Sequence, residues 1–89
     1  MLTLPPALTH DHAAEFARGL KALVVSQPTV VVADASALQT FDSSALAILL
    51  ACRREALAAG KTFAVHRLPE RLLQLAALYG VAELFPAPV

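Results

Sequence analysis

The chain has 89 residues, of which 57% are hydrophobic and 16% charged, and its 7 basic and 7 acidic side chains leave no formal net charge. Because no basic excess is present to neutralise phosphates, this composition argues against nucleic-acid binding. The sequence has neither a run of about 20 apolar residues nor a signal peptide, and its lone cysteine cannot form an internal disulfide, so we expect one cytoplasmic domain spanning residues 1–89.

The first elements in chain order are a weak strand and a helix. Residues 2–4 alternate apolar and polar side chains, and the two prolines that follow confine such a strand to a sheet edge. Residues 12–24 place apolar side chains at helical spacing. Thr9 or Asp11 is predicted to cap this helix.

A β-branched run and a long helix form the centre of the sequence. Residues 29–33, Thr-Val-Val-Val-Ala, predict a strand that is buried on both faces and ends at Asp34. A second helix is predicted to begin at the N-cap Asp42 and to run to Ala59, where Gly60 supplies a left-handed end. The first half of this helix is apolar on all sides.

A third strand and a third helix complete the pattern. Residues 61–68 alternate as in a strand, Pro69 is predicted to open a helix at its first position, and Gly80 ends it. The apolar stripe of this helix comprises Leu72, Leu75, Ala76 and Tyr79. Leu84 and Phe85 are expected to anchor the tail. Alternating strands and helices predict an α/β domain with a small sheet, and the high apolar content fits buried strands or a face hidden against a partner.

A polar loop lies directly before the second helix, at residues 36–44. Its polar side chains are Ser36, Gln39, Thr40, Asp42, Ser43 and Ser44. An aspartate and two serines before an apolar run are also an ordinary helix start, with the aspartate as cap and the serines in the first turn. The spacing alone therefore leaves a structural and a functional interpretation open.

Residues 34–46, Asp-Ala-Ser-Ala-Leu-Gln-Thr-Phe-Asp-Ser-Ser-Ala-Leu, resemble the central motif of STAS domains. The motif runs without a gap from Asp34 to Leu46 and departs at Ala45, where the family usually has glycine. Weaker similarities extend the resemblance over residues 9–85. It implies a STAS-like α/β fold with a small mixed sheet of about four strands and helices packed against it. The family's first strand is reduced or absent here, which would leave an exposed sheet edge suited to a homodimer.

The resemblance implies two alternative functions. In lipid-asymmetry (Mla) ABC transporters, a small non-catalytic STAS subunit binds the cytoplasmic ATPase and supports its assembly and activity. The tail, residues 75–86, looks closer to this branch, with docking expected through residues 36–44 and the exposed side of helix 42–59. Such a subunit would meet the inner face of the inner membrane only indirectly, through the complex. In anti-sigma factor antagonists, a partner serine kinase phosphorylates the serine after the motif aspartate, which corresponds to Ser43.

A phosphate on Ser43 would be tolerated by the fold, because a helix N-terminus carries about half a positive charge. It would still add about −1.5 to −2 charges to the contact surface beside Asp42, and so could block a partner without unfolding the domain.

Other candidate sites are weaker. His10, Asp11 and His12 offer too few neighbouring ligands for a metal site, and we interpret them as a solvated helix start. Cys52 is expected to be buried and inert among aliphatic side chains. The glycines stand alone, with no phosphate-binding loop, so the sequence predicts neither an enzyme nor a cofactor.

Overall fold

A computed structural model describes residues 1–88 of the chain. The predicted small α/β architecture is confirmed. The strands are β1 (Leu2–Thr3), β2 (Ala7–Leu8), β3 (Val30–Asp34), β4 (Thr40–Phe41) and β5 (Thr62–His66). The helices are α1 (His10–Arg18), α2 (Leu20–Val25), α3 (Ser43–Ala58) and α4 (Glu70–Leu78), followed by a 3-10 turn at Ala82–Leu84.

The strands pair in parallel in two small sheets. The larger sheet has the order β1-β3-β5, and β2 pairs with β4 beside it. Crossovers between neighbouring parallel strands are almost always right-handed. The strands β1, β3 and β5 follow one another across the larger sheet in chain order. The crossover through α1 and α2 and the crossover through α3 therefore fall on the same face of this sheet. Helices therefore cover that face, and between β1 and β5 the described chain places no crossover helix on the opposite face.

The exposure of β3 reflects this one-sided arrangement. Val31 and Ala33 are fully buried beneath the helices, whereas Val30 on the opposite face is 51% exposed and Val32 is half-buried. The prediction that β3 is buried on both faces is therefore wrong. A run of β-branched residues predicts a strand, but it does not predict how many faces of the sheet are covered by other elements.

Helix α3 is the centre of the core, and its predicted bounds are confirmed to within a residue. It contacts the helices α1, α2 and α4 and the strands β3 and β5. Its buried residues are Ala45, Leu46, Ile48, Leu49, Cys52 and Ala56. Gly60 has a positive φ of 74°, and the Lys61 amide donates to the Ala56 carbonyl at 2.9 Å. This is the predicted left-handed helix end.

The first predicted helix is divided in two. Instead of one helix over residues 12–24, α1 and α2 meet at Gly19. A Cβ atom at Gly19 would have nothing within 4 Å, so no close packing requires glycine there. The low helix propensity of glycine favours an interruption of the helix at this point. Leu20 and Val24 of α2 then reach the core, while Leu23 is 40% exposed.

Helix α4 differs from its prediction at its start and in its buried stripe, whereas its predicted end at Gly80, which has a positive φ of 75°, is confirmed. Pro69 occupies the N-cap rather than the first helical position. Leu72 and Ala76 are fully buried as predicted, but Tyr79 is 60% exposed and does not belong to the buried stripe. Tyr79 continues the helix as its C-cap, with its amide bonded to the Leu75 carbonyl at 3.1 Å, and the Val81 amide folds back onto the Ala76 carbonyl at 2.9 Å.

Lys61 joins the start of β5 to the end of α2. Its Nζ donates to the carbonyl oxygens of Val24 at 3.0 Å and Val25 at 2.9 Å, and also to that of Gln27. These carbonyls lie at the negative end of the helix dipole and in the turn that follows. One partly buried ammonium therefore satisfies backbone acceptors that the helix itself leaves free.

We expect Lys61→Met to lower the free energy of unfolding by about 1–2 kcal/mol, because it keeps the apolar stem but leaves those carbonyls without their charged donor. Urea denaturation monitored by circular dichroism measures the effect. Lys21→Met, at an exposed position on α2, is the matched control and should change the free energy by less than about 0.5 kcal/mol. Equal losses in the two variants would contradict this role of Lys61.

Candidate functional site

The carboxyl ends of β1, β3 and β5 meet at one edge of the larger sheet, because these strands are parallel. The chain leaves β3 there through a loop whose start is fixed by hydrogen bonds. The Ser36 amide donates to Asp34 Oδ1 at 3.0 Å, the Ala35 amide to the His66 carbonyl at 2.9 Å, and the Leu4 amide to the Asp34 carbonyl at 3.0 Å. The hydroxyl and amide of Ser36 hold the pKa of the Asp34 carboxyl below its ordinary value.

The end of the polar loop is fixed by β2. The Gln39 and Thr40 amides both donate to the Pro6 carbonyl, at 2.8 and 3.0 Å. Beyond them Ala7 pairs with Thr40 in the short parallel ladder between β2 and β4. Since each of these strands is followed at once by a helix, the ladder places the N-terminus of α1 beside the N-terminus of α3.

Asp42 connects these two helix ends. Its Oδ1 accepts the Ser44 amide at 2.8 Å, which is the predicted N-cap of α3. Its Oδ2 accepts the His10 amide at 3.0 Å, in the first turn of α1. These two bonds, with Ser44 contributing most, lower the pKa of the Asp42 carboxyl from its ordinary value. Asp42 is thus a shared cap for two helices.

The remaining polar side chains of the loop are mostly open to solvent. Ser36, Gln39, Thr40 and Ser43 are exposed and Ser44 is half-buried. Directly after them, Ala45 and Leu46 are buried in the core. The structure therefore brings together a solvent-facing group of small polar side chains at the start of a helix whose next turn is inaccessible.

One side chain from another helix lies against the loop and was not predicted to do so. The Arg71 guanidinium of α4 lies 5.9 Å from the centroid of the Phe41 ring, a distance typical of a cation–π contact. Thr9, the N-cap of α1, shares a hydrogen bond of 2.9 Å between its Oγ1 and His12 Nδ1. Arg71 lies 30 residues after Phe41 in the chain, so no local spacing signals this contact.

Cys52 lies away from this surface, in the core. It is fully buried, as predicted, and desolvation raises the pKa of its thiol to about 12. The thiol is therefore protonated at neutral pH and is a poor nucleophile.

A comparison with known protein families identifies the family to which this chain belongs. The family described as "Mlab, STAS domain" matches residues 1–86. The chain is a STAS domain of the MlaB-like family. Among curated proteins, none matches the chain. Membership of the family gives the domain a protein-interaction or regulatory role in general terms.

Within residues 1–88, no helix of this STAS domain is long and apolar enough to cross a membrane.

The double role of Asp42 predicts a graded response to substitution at neutral pH. An asparagine offers one carbonyl oxygen, so Asp42→Asn can cap one helix well but not both, and Asp42→Ala caps neither. We expect the melting temperature to fall from wild type to Asp42→Asn and further to Asp42→Ala.

At acidic pH we expect the difference in melting temperature between wild type and Asp42→Asn to disappear. The folded pKa of Asp42 lies below the unfolded value, so the stabilisation by its charge is fully present above about pH 4 and is lost as the pH falls through the folded pKa. Thermal unfolding at pH 7 and at about pH 2.5 measures the effect. A gap between wild type and Asp42→Asn that is as large in acid as at neutral pH would show that the charge has no such role.

Proposed function

We propose that this STAS domain is a non-catalytic subunit that docks on the cytoplasmic ATPase of an Mla-type phospholipid ABC transporter and supports its assembly and activity. The family match over residues 1–86 is the observation that carries the proposal. The subunit would act in the cytoplasm, at the inner face of the inner membrane, and would meet the membrane only through the complex.

The proposed docking surface consists of the polar loop and the exposed side of α3. Along that side, Ser43, Ala47 and Arg54 are exposed and Leu50 is half-buried. These positions are spaced by three or four residues and so lie on one face of the helix. Small and aliphatic side chains in the middle, with polar groups at both ends, match the apolar centre and polar rim of protein interfaces.

The chemistry of the loop supports binding rather than catalysis. A nucleophilic serine needs an adjacent base that can take its proton. Both carboxylate oxygens of Asp42 already accept backbone amides, and its pKa is lowered, which makes it a weak base. The exposed hydroxyl of Ser43 is better suited to a hydrogen bond with a partner.

The alternative is an anti-sigma factor antagonist that a serine kinase controls through Ser43. The exposure of Ser43 at the first position of α3 favours it, because a kinase can reach the hydroxyl and the helix dipole tolerates the phosphate.

Co-expression distinguishes the two functions. The untagged domain is expressed with a tagged Mla-type transporter ATPase in one culture and with a tagged serine-kinase anti-sigma factor in another. We expect the domain to co-purify with the ATPase. Co-purification with the kinase alone would refute the proposed function and support the alternative.

A substitution at Ser43 tests the docking surface. We expect Ser43→Glu to weaken the complex with the ATPase by about tenfold or more, because a second negative charge beside Asp42 must be desolvated in the interface. The melting temperature should change little, since a carboxylate is favourable in the first turn of a helix. Isothermal titration calorimetry and thermal unfolding measure the two effects.

Thr29→Glu is the matched control, because Thr29 is exposed and precedes β3 at the opposite end of the sheet. Equal affinities of the two variants for the ATPase would show that the polar loop is outside the interface. Unfolding by Ser43→Glu would show that Ser43 is structural.

A further inference from the structure

The face of the larger sheet opposite the helices carries apolar and hydroxyl side chains. Sheets made only of parallel strands are normally covered on both faces. On this face the structure leaves a groove of about 510 Å3. It is lined by Val30, Val32, Thr62, Phe63, Ala64, Pro86, Ala87 and Pro88. Residues 85–88 form the tail segment, in which Phe85 belongs to the hydrophobic core and residues 86–88 line the groove beside β5.

The tail segment wraps around the free edge of β5. Phe85 is 5% exposed, and its ring meets that of Phe63 edge-on, with centroids 6.5 Å apart and planes at 76°. The next residue, Pro86, accepts the Val65 amide at 2.8 Å through its carbonyl oxygen. Residues 86–88 then line the open face, where Ala64 is 5% exposed. An aromatic anchor and a backbone bond hold the segment in place.

The hydrogen bond to Val65 lies on the outer side of β5. The Thr62 amide and the His66 carbonyl both bond toward β3, to Thr29 and Ala35. Backbone groups alternate in direction along a strand, so those of Phe63 and Val65 point outward. Outward-pointing groups of an edge strand are a template onto which another extended chain can add. The tail segment already uses this template through Pro86.

The tail segment is a poor strand, which makes it replaceable. Pro86 and Pro88 have no amide hydrogen, so neither can donate to the carbonyls of β5. An extended chain with an aromatic anchor and a complete set of amides would make the same contacts and add donors. The tail segment therefore indicates which ligand fits the site, namely an extended chain with an aromatic side chain.

The area of the open face favours a single extended segment over a second folded domain as the binding partner. At strand spacings of about 4.8 Å and a rise of about 3.3 Å per residue, three strands of up to five residues cover a planar area of at most roughly 240 Å2. A stable interface between folded domains buries about 800 Å2 on each partner. A second copy of this domain docked face to face would bury too little, whereas a single extended segment needs no more than an edge and a groove.

We propose that the outer edge of β5 and the adjacent groove form a binding site for an extended segment of a partner protein that carries an aromatic residue followed by apolar residues. The chain's own tail segment occupies this site and must be displaced before the partner binds. This site is separate from the polar loop, which lies at the carboxyl ends of the strands. The proposal does not depend on the function proposed for that loop.

Hydrogen exchange of the complete chain tests whether the tail segment detaches from a folded domain. We expect the Val65 amide to exchange at least about tenfold faster than the amide of Leu49, which is fully buried in α3. NMR measures both rates under native conditions. Equal rates would mean that the edge opens only when the whole domain unfolds, and would overturn the proposal.

A peptide of residues 83–88, Glu-Leu-Phe-Pro-Ala-Pro, tests the site directly in the complete chain carrying Phe85→Ala. The variant lacks the anchor, so we expect it to bind the labelled peptide at least about tenfold more tightly than wild type does, by fluorescence anisotropy. The same peptide with serine in place of phenylalanine should not bind. Tyr79→Ala removes an exposed aromatic side chain outside the groove and should leave the affinity at the wild-type value.

Two outcomes with the Phe85→Ala variant would overturn the proposal. A folded Phe85→Ala chain that binds the peptide no better than wild type would show that the edge does not accept a segment. Dimerisation of that variant in light scattering would show that a second copy, rather than a segment, is the occupant. If Phe85→Ala does not fold, the exchange rates of Val65 and Leu49 in wild type decide the question.

Discussion

The position of the polar loop depends on one carboxylate that caps two helices. Asp42 and His10 are 32 residues apart in the chain, yet a single side chain joins the starts of α3 and α1. Each helix start carries partial positive charge, so two such ends side by side would repel each other without an anion between them. The short β2–β4 ladder brings the ends together, and Asp42 makes their closeness favourable. Ser43 is left exposed beside this junction.

The strand order separates two surfaces that have different chemistry. Parallel strands place every loop that follows a strand at one edge of the sheet, and this gathers the polar loop and the neighbouring Arg71 there. The same order puts the crossover helices on one face, so apolar residues such as Val30 remain on the other. The first surface is small, polar and held by backbone hydrogen bonds. The second is apolar and is covered by the tail segment through an aromatic contact and a bond to Val65.

The features that the sequence could predict depend on residues that are close together in the chain. The cap at Asp42, the left-handed end at Gly60 and the burial of the turn after Ser44 each depend on residues within a few positions of one another, whose hydrogen bonds and periodicity are visible in the sequence. The second bond of Asp42, to His10, and the exposure of Val30 depend on topology. They follow only once the strand order and the side of each crossover are known, and no spacing along the chain encodes them.

The junction at Asp42 also determines how a charge at Ser43 would act. In the isolated domain a phosphate there would lie in water at the start of α3, where the helix dipole favours an anion and solvent screens its repulsion from Asp42. In an interface the same groups lose that screening, and two adjacent anions must both be desolvated. The energetic effect of the charge therefore falls on the complex rather than on the fold. If the polar loop is the docking surface, as we propose, a charge on the exposed Ser43 would therefore weaken the complex without unfolding the domain.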